Sequence, residues 1–175
     1  FRSKVAKETI HAGAAIINDI SGGKMDEKMF ETVASFQVPY ILMHMLGTPQ
    51  NMQVNPVYTD VTQEIISFFA AQIFKLHQLK LNDIIIDVGC GFGKTAHHNF
   101  EILKNLSLFK SLDAPILAGI SRKSMLYKTL DISAKEALNA TTSANTIALL
   151  NGANMLRVHD VKEAVEAIKI VSQIQ

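Results

Sequence analysis

The sequence predicts an α/β fold in which short buried strands alternate with helices, and three observations lead to that prediction. First, the three consecutive isoleucines at 84–86 are typical of a strand buried on both faces of a parallel sheet. Second, four more short apolar runs recur along the chain, separated by stretches with helical character. Third, each apolar run ends in polar or charged residues, which is where parallel sheets place their ligand sites.

Five strands and six helices are predicted in alternation. The strands are short apolar runs that end in polar residues: 14–19, 40–45, 84–88, 115–120 and 155–159. The helices lie between them: 3–12, 26–36, 58–79, 97–110, 133–150 and 160–174. Gly13 ends the first helix, and Pro39 separates the second helix from the second strand. Ser133, with Glu136 three residues later, predicts a capping box at the start of the fifth helix.

The alternation runs through the whole chain without a linker, so a single domain is predicted over residues 1–175. Units of this kind build either an open doubly wound sheet or a TIM (β/α)8 barrel. The barrel is favoured because every strand ends in its own polar set. About five of the eight βα units of a barrel are present, and the chain opens at Phe1 inside a helical pattern. The domain is therefore expected to be N-terminally incomplete.

Composition narrows the class of protein. Hydrophobic residues make up 48% of the chain and charged residues 19%, which is typical of a globular domain. The net charge of +1 favours neither nucleic acid nor a membrane surface as a partner. The single cysteine, Cys90, cannot form an internal disulfide, and no apolar run is long enough to span a membrane. A cytoplasmic protein is expected.

The loop after the isoleucine run superficially matches a phosphate-binding motif. Residues 93–95 read Gly-Lys-Thr, but a P-loop needs four residues between its first glycine and the Gly-Lys pair, and Gly89 leaves three. The glycines at 89, 91 and 93 also miss the dinucleotide fingerprint by one position. A tight loop without a ligand is an alternative. The favoured interpretation is that Asp87, at the end of a buried strand, serves a ligand.

The strand ends together present amide, carboxylate and cationic side chains: Asn18, Asp19, His44, Asp87, Arg122, Lys123, Arg157 and His159. An amide and a carboxylate suit a heterocycle with adjacent N–H donors, whereas lysine and arginine suit phosphate oxygens. The predicted ligand is therefore a heteroaromatic substrate that bears a phosphate or pyrophosphate.

Several of these residues have a structural alternative. The alternative role of Asp19 is to cap its own turn. The alternative role of His44 is that of a core histidine, and the alternative role of Arg122 is to form a structural ion pair. Metal binding by His44 and His159 is a weak alternative, because no ligand spacing supports it.

Five segments in order resemble the dihydropteroate synthase family, and the resemblance covers essentially the whole chain. These segments are 18–22 (NDISG), 43–45 with 47–49 (MHM, GTP), 86–95 (IDVGCGFGKT), 121–124 (SRKS) and 157–160 (RVHD). The SRKS loop favours the synthases over the related pterin-binding methyltransferases. The resemblance implies a TIM barrel that joins 6-hydroxymethyl-7,8-dihydropterin pyrophosphate to p-aminobenzoate with the help of Mg²⁺.

The resemblance also implies roles for residues of this chain. Asn18 and Asp87 look like the pterin-binding amide and carboxylate, and Lys123 looks like a residue that contacts both substrates. Arg157 and His159 look like the residues that bind pyrophosphate. Phe92 and Ser124 look like part of the aminobenzoate pocket. Lys123, Asp87 and Arg157 are the expected catalytic residues.

The chain departs from the family pattern mainly at its start. Val88 stands where the family usually has proline and Leu46 where it often has arginine, and neither change touches the presumed chemistry. The resemblance implies that the segment corresponding to the family's first three strands, with the asparagine near the metal and a mobile loop, is missing from this chain, so no metal ligand is expected among these residues. A homodimer through the outer helices is expected. An inactive binding fragment and a corrinoid-linked pterin methyltransferase remain alternatives.

Overall fold

The computed structural model describes residues 1–52 and 54–174, and within them five parallel strands form one sheet. Their bounds are β1 Ile17–Asp19, β2 Tyr40–Met43, β3 Ile84–Asp87, β4 Ile116–Ala118 and β5 Met155–Leu156. The strands lie in the order β1-β2-β3-β4-β5, so each one pairs with its neighbours in the sequence. Doubly wound sheets reverse this order at a switch point, whereas barrels do not. The predicted α/β fold and partial (β/α)8 barrel are confirmed.

The helices lie between the strands, as predicted. They are α1 Ser3–His11, α2 Met29–Phe36, α3 Val61–Gln78, α4 Ala96–Lys104, α5 Ser124–Tyr127, α6 Leu138–Leu150 and α7 Val161–Val171. The helix predicted at 97–110 is shorter than expected and is followed by a 3-10 helix, Leu106–Leu112. The side chain of Asn105 between the two donates to the Thr62 hydroxyl on α3 (3.2 Å). The short helix α5 was not predicted, because four residues are too few to show helical periodicity.

The prediction of a capping box at Ser133 is wrong, since helix α6 begins five residues later at Leu138. The Ser133 hydroxyl donates to the Glu136 carboxylate (2.7 Å) instead of accepting a helical N–H. The carbonyl oxygens of residues 134 and 135 accept from Arg122 Nη1 at 3.0 and 2.7 Å. A tertiary contact with a distant arginine therefore uses carbonyls that an earlier helix start would need.

The main hydrophobic core lies between the sheet and the helices. Alternate residues on neighbouring strands, such as Tyr40 and Ile86, are completely buried in the same cluster as Ile65 and Phe69 of α3. Since strand side chains alternate between faces, Asp87 and the other intervening residues point to the opposite face, which is the barrel interior. Burying each large side chain contributes roughly 1.5–3 kcal/mol. The long helix α3 thus anchors the centre of the sheet.

The two outer strands have apolar residues at exposed edges. Ile16, just before β1, is 48% exposed, and Met155 in β5 is 41% exposed. Residues 14–16 and 157–159, which the sequence assigns to these strands, lie outside them. An edge strand has a neighbour on one side only, so its ends are held by fewer ladder hydrogen bonds. Among the described residues, no helix is long and apolar enough to cross a membrane.

We predict that the 175-residue chain by itself self-associates through these edges, because open apolar parallel edges invite pairing with another chain. Sedimentation velocity at micromolar concentration tests this, with dimers or larger species as the expected result. A monomer that unfolds cooperatively would contradict the prediction.

Candidate functional site

Polar side chains of all five strand ends lie at one edge of the sheet, as expected for a parallel barrel. The centre of this edge is Asp87, the last residue of β3, which is only 2% exposed. Arg157, just after β5, donates from Nη1 to Asp87 Oδ2 (2.9 Å) and from Nη2 to Asn18 Oδ1 (2.8 Å). The other carboxylate oxygen of Asp87 accepts from the Gly89 N–H (2.8 Å). One planar guanidinium therefore connects the ends of β1, β3 and β5.

Asp19 caps its own turn, and this structural alternative is confirmed. The carboxylate accepts from the Ser21 backbone and hydroxyl (2.9 and 2.7 Å), the Gly23 N–H (2.8 Å) and the Tyr40 hydroxyl (2.7 Å). Burial works to raise the pKa of Asp19, but the hydrogen bonds from Tyr40, Ser21 and Gly23 outweigh it and lower the pKa. Asp19 thereby fixes the chain immediately after Asn18.

The loop after β3 needs its three alternating glycines. Gly89, Gly91 and Gly93 have φ values of +66°, +84° and +67°, in the left-handed region that side chains disfavour. A Cβ atom on Gly89 would lie 2.0 Å from the His44 carbonyl oxygen, and one on Gly93 would lie 2.5 Å from the Leu46 carbonyl oxygen. The glycines therefore permit both the winding of this loop and its close approach to the loop after β2.

Carbonyl oxygens of this loop converge on the side chain of Lys94, which is 3% exposed. Lys94 Nζ donates to the carbonyls of Gly89 (3.0 Å), Phe92 (3.1 Å) and His44 (3.3 Å), and it contacts His44 Nδ1 at 3.0 Å. Burial lowers the pKa of Lys94 to about 7. A P-loop turns backbone N–H groups toward a phosphate. This loop instead turns carbonyls toward its own lysine, so it does not have the backbone arrangement of a P-loop.

His44 is a buried histidine, in line with its structural alternative. Its ring packs edge-on against Phe68, with 5.0 Å between the ring centroids. Burial, together with the neighbouring charge of Lys94, lowers the pKa of His44 to about 2. Within residues 1–52 and 54–174, no group of three or more His, Cys, Asp or Glu side chains is placed to hold a metal ion.

Contacts between charged and polar side chains tie the loops after β4 and β5 together. Arg122 donates from Nε and Nη2 to the two carboxylate oxygens of Asp160 (2.9 and 2.8 Å), which confirms the structural ion pair. The Ser121 hydroxyl lies 2.9 Å from His159 Nδ1 and accepts from the His159 N–H (3.2 Å). These contacts hold the loop that carries Lys123 against the loop that carries the exposed His159.

Lys123 extends from the loop after β4 over the loop after β3. Its ammonium donates to the Cys90 carbonyl and lies 4.8 Å from the centroid of the Phe92 ring. Burial lowers the pKa of Lys123. Ser124, the next residue, is exposed and begins helix α5.

The structure brings five of the predicted site residues together in two contact groups, whereas His159 contacts Ser121 and Ser124 lies exposed beside Lys123. Asn18, Asp87 and Arg157 form one contact group, and Phe92 with Lys123 forms another. Lys94 was missed by sequence reasoning, because its only signal was a phosphate motif with the wrong spacing. Tyr40, the buried partner of Asp19, was assigned only to a strand.

The fold and this site define an α/β barrel protein with its polar ligand site at the carboxyl ends of the strands. The chain belongs to the family described as "Pterin binding enzyme", whose sequence model matches residues 1–159. It is 38% identical over 172 residues to dihydropteroate synthase of Escherichia coli K12, and the match covers 97% of this chain and 61% of that protein. The chain therefore spans about three fifths of the length of the curated relatives it matches.

Solved structures agree with this assignment. The dihydropteroate synthase of Yersinia pestis, in a complex with a sulfonamide drug, superposes with a TM-score of 0.94 at 38% identity, over 98% of this chain and 63% of that one. The Xanthomonas albilineans enzyme in complex with 7,8-dihydropteroate gives a TM-score of 0.91 at 31% identity, over 100% of this chain and 64% of that one. The latter enzyme has also been solved with 4-aminobenzoic acid.

We predict that Tyr40→Phe lowers the free energy of unfolding by about 2 kcal/mol at neutral pH, because a buried carboxylate loses one donor. Asp19 has a lowered pKa when folded, so its contribution is present above the unfolded value of about 3.9 and is lost as pH falls through the folded value. The difference between the two proteins should therefore shrink in acid. Urea unfolding at several pH values measures it, and Tyr127→Phe in helix α5 is the control. An unchanged unfolding free energy would contradict the role of Tyr40.

Proposed function

We propose that this protein acts as a dihydropteroate synthase, which condenses 6-hydroxymethyl-7,8-dihydropterin pyrophosphate with p-aminobenzoate to give 7,8-dihydropteroate and pyrophosphate in folate biosynthesis. The observation that carries the proposal is the pair of acceptors formed by Asn18 and Asp87, whose oxygens receive two N–H groups of one planar cation. The relatives support it, because those named above are dihydropteroate synthases.

The acceptor pair suits the pyrimidine edge of a pterin. That edge carries a ring N–H and an exocyclic amino group side by side, which is the donor pattern that the Arg157 guanidinium presents to Asn18 and Asp87. A pterin that takes these two acceptors displaces the guanidinium. Arg157 then becomes available, with the exposed His159, for the pyrophosphate of the same substrate.

Phe92 and Lys123 offer a different surface, suited to p-aminobenzoate. An aromatic ring with an ammonium 4.8 Å from its centroid presents an apolar face and a cation to an aromatic carboxylate. Ser124 adds an exposed hydroxyl beside Lys123. These contacts support the division of the site into a pterin half and an aminobenzoate half.

The proposed reaction forms a bond from the amino nitrogen of p-aminobenzoate to the pterin methylene carbon, while the bond from that carbon to the pyrophosphate oxygen breaks and the amine loses a proton. Negative charge grows on the leaving pyrophosphate, where Arg157 and His159 would stabilise it. Positive charge grows at the methylene, and Asp87 would stabilise it through the pterin ring. We also propose Mg²⁺ as a cofactor, with its ligands outside the residues described here.

An assay of pyrophosphate release tests the proposal with the protein as its gene encodes it, supplied with both substrates and Mg²⁺. We predict turnover by the natural protein and a fall in kcat/KM of about 100-fold or more for Asp87→Asn. Asp83→Asn, an exposed change at the other end of the same strand, should leave turnover unchanged.

The outcomes separate the alternatives. Absence of pyrophosphate release by a folded protein would reject the proposal, and methyl transfer from methyltetrahydrofolate would favour a corrinoid-linked methyltransferase. Turnover by the 175-residue chain alone would contradict the alternative that it is an inactive binding fragment. The cytoplasmic location stays a prediction.

We further propose that the protein forms a homodimer through its outer helices. Val161, Val165 and Ile168 form an exposed apolar stripe on α7, and Ile147 and Leu150 are exposed on the neighbouring α6. An apolar patch of this kind is typical of an interface.

We predict that Ile168→Glu raises the dimer dissociation constant about 10-fold or more, because it places a charge in the interface. Sedimentation equilibrium of the protein as its gene encodes it measures the constant, and Lys4→Glu on α1 is the control. A natural protein that stays monomeric at micromolar concentration would reject the dimer.

A further inference from the structure

The loop of residues 89–93 connects the two halves of the site, and Lys94 lies at its centre. Asp87, on the pterin side, lies two residues before Gly89, the first residue of this loop, while Phe92, on the aminobenzoate side, is part of it. The inner carbonyls of Gly89 and Phe92 accept from Lys94, and the outer carbonyl of Cys90 accepts from Lys123. The same short loop thus receives hydrogen bonds from two lysines on its opposite sides.

The contacts of Lys94 constrain more than its own loop. The His44 carbonyl, which also accepts from Lys94 Nζ (3.3 Å), belongs to the segment after β2. The side chain therefore joins the exits of two neighbouring strands. Without its nitrogen, the carbonyls of His44, Gly89 and Phe92 would each lose a donor, and only that of Gly89 would keep the Phe92 N–H among the hydrogen bonds described here. A buried polar group left unsatisfied costs free energy. Water has little access, because Lys94 is almost completely buried.

Side chains outside the loop also hold its backbone in place around Lys94. The Gly91 N–H donates to Asn99 Oδ1 on α4 (2.8 Å), and Asn99 Nδ2 donates to the Thr95 carbonyl (2.6 Å). The Tyr58 hydroxyl donates to the Gly93 carbonyl (2.9 Å). These bonds hold one part of the loop, whereas Lys94 Nζ donates to the carbonyls of Gly89, Phe92 and His44 together.

We propose that Lys94 is a positioning residue: its side-chain nitrogen holds the loop of residues 89–93 in the conformation that places Phe92 against Lys123, without itself contacting a substrate. The proposal rests on the proposed function for the identity of the substrates. On this proposal, the glycines at 89, 91 and 93 are needed because they let the backbone turn its carbonyls toward the Lys94 ammonium, and not because the loop binds a phosphate.

Chemical rescue tests this role in the protein as its gene encodes it. Lys94→Ala removes the atoms that n-propylamine contains, so the amine at pH 6.5 can return an ammonium to the same carbonyls. We predict that Lys94→Ala raises the KM for p-aminobenzoate about 100-fold, because misplacement of the Phe92 ring that contacts this substrate has effects of this size. We further predict that n-propylamine lowers the KM part of the way back. 1-Propanol, which has the same length without the charge, should restore less. Lys104→Ala, an exposed change on α4, is the control.

Hydrogen exchange supplies a measurement that does not depend on activity. The amides of Gly89, Gly91 and Phe92 are hydrogen-bonded, so their peptide should exchange about 10-fold faster in Lys94→Ala and slow again with n-propylamine. If Lys94→Ala does not fold, the exchange of Lys94→Met, which keeps the apolar part of the side chain, is compared with that of the natural protein. Unchanged exchange in the loop, or faster exchange throughout the sheet, would overturn the proposal. Absence of turnover by the natural protein would reject the synthase function and leave the exchange result to decide the role of Lys94.

Discussion

The site depends on how the buried charge of Asp87 is compensated. A carboxylate at the end of a buried strand is unfavourable unless charged or N–H groups contact it. Here the Arg157 guanidinium and the Gly89 N–H supply those contacts, and Arg157 also reaches Asn18. Because the three side chains come from β1, β3 and β5, compensation of one charge ties together the ends of strands that are not neighbours.

A second buried charge shapes the loop that follows. Lys94 is enclosed by carbonyls, and the left-handed glycines at 89, 91 and 93 allow the chain to turn those carbonyls inward. A nucleotide-binding loop uses similar residues with the opposite backbone polarity, so that N–H groups face an anion. The presence of glycine and lysine residues in the sequence does not by itself distinguish the two arrangements. The direction of the peptide groups decides which charge the loop can surround.

The prediction of the fold is correct where the local pattern of apolar residues agrees with their burial. The isoleucine run at 84–86 is buried on both faces of β3, and the apolar spacing of α3 matches its buried residues, among them Ile65 and Phe69. The failures are at element ends. Ser133 and Glu136 form a turn because Arg122 binds the carbonyls of residues 134 and 135 between them, and β5 ends at Leu156, at the edge of the sheet. Such contacts join residues far apart in the chain, and no local pattern encodes them.

The sequence by itself determined the alternation of strands and helices and the chemical types at each strand end, because burial periodicity and residue type are local properties. It also identified Asn18, Asp87, Phe92, Lys123 and Arg157 as candidates through five short segments in a fixed order. Only the tertiary structure decided which of them touch. Asn18 and Arg157 are 139 positions apart, and their contact follows from the parallel strands sharing one edge. The enclosure of Lys94 was decided in the same way, since it needs a carbonyl from the exit of another strand.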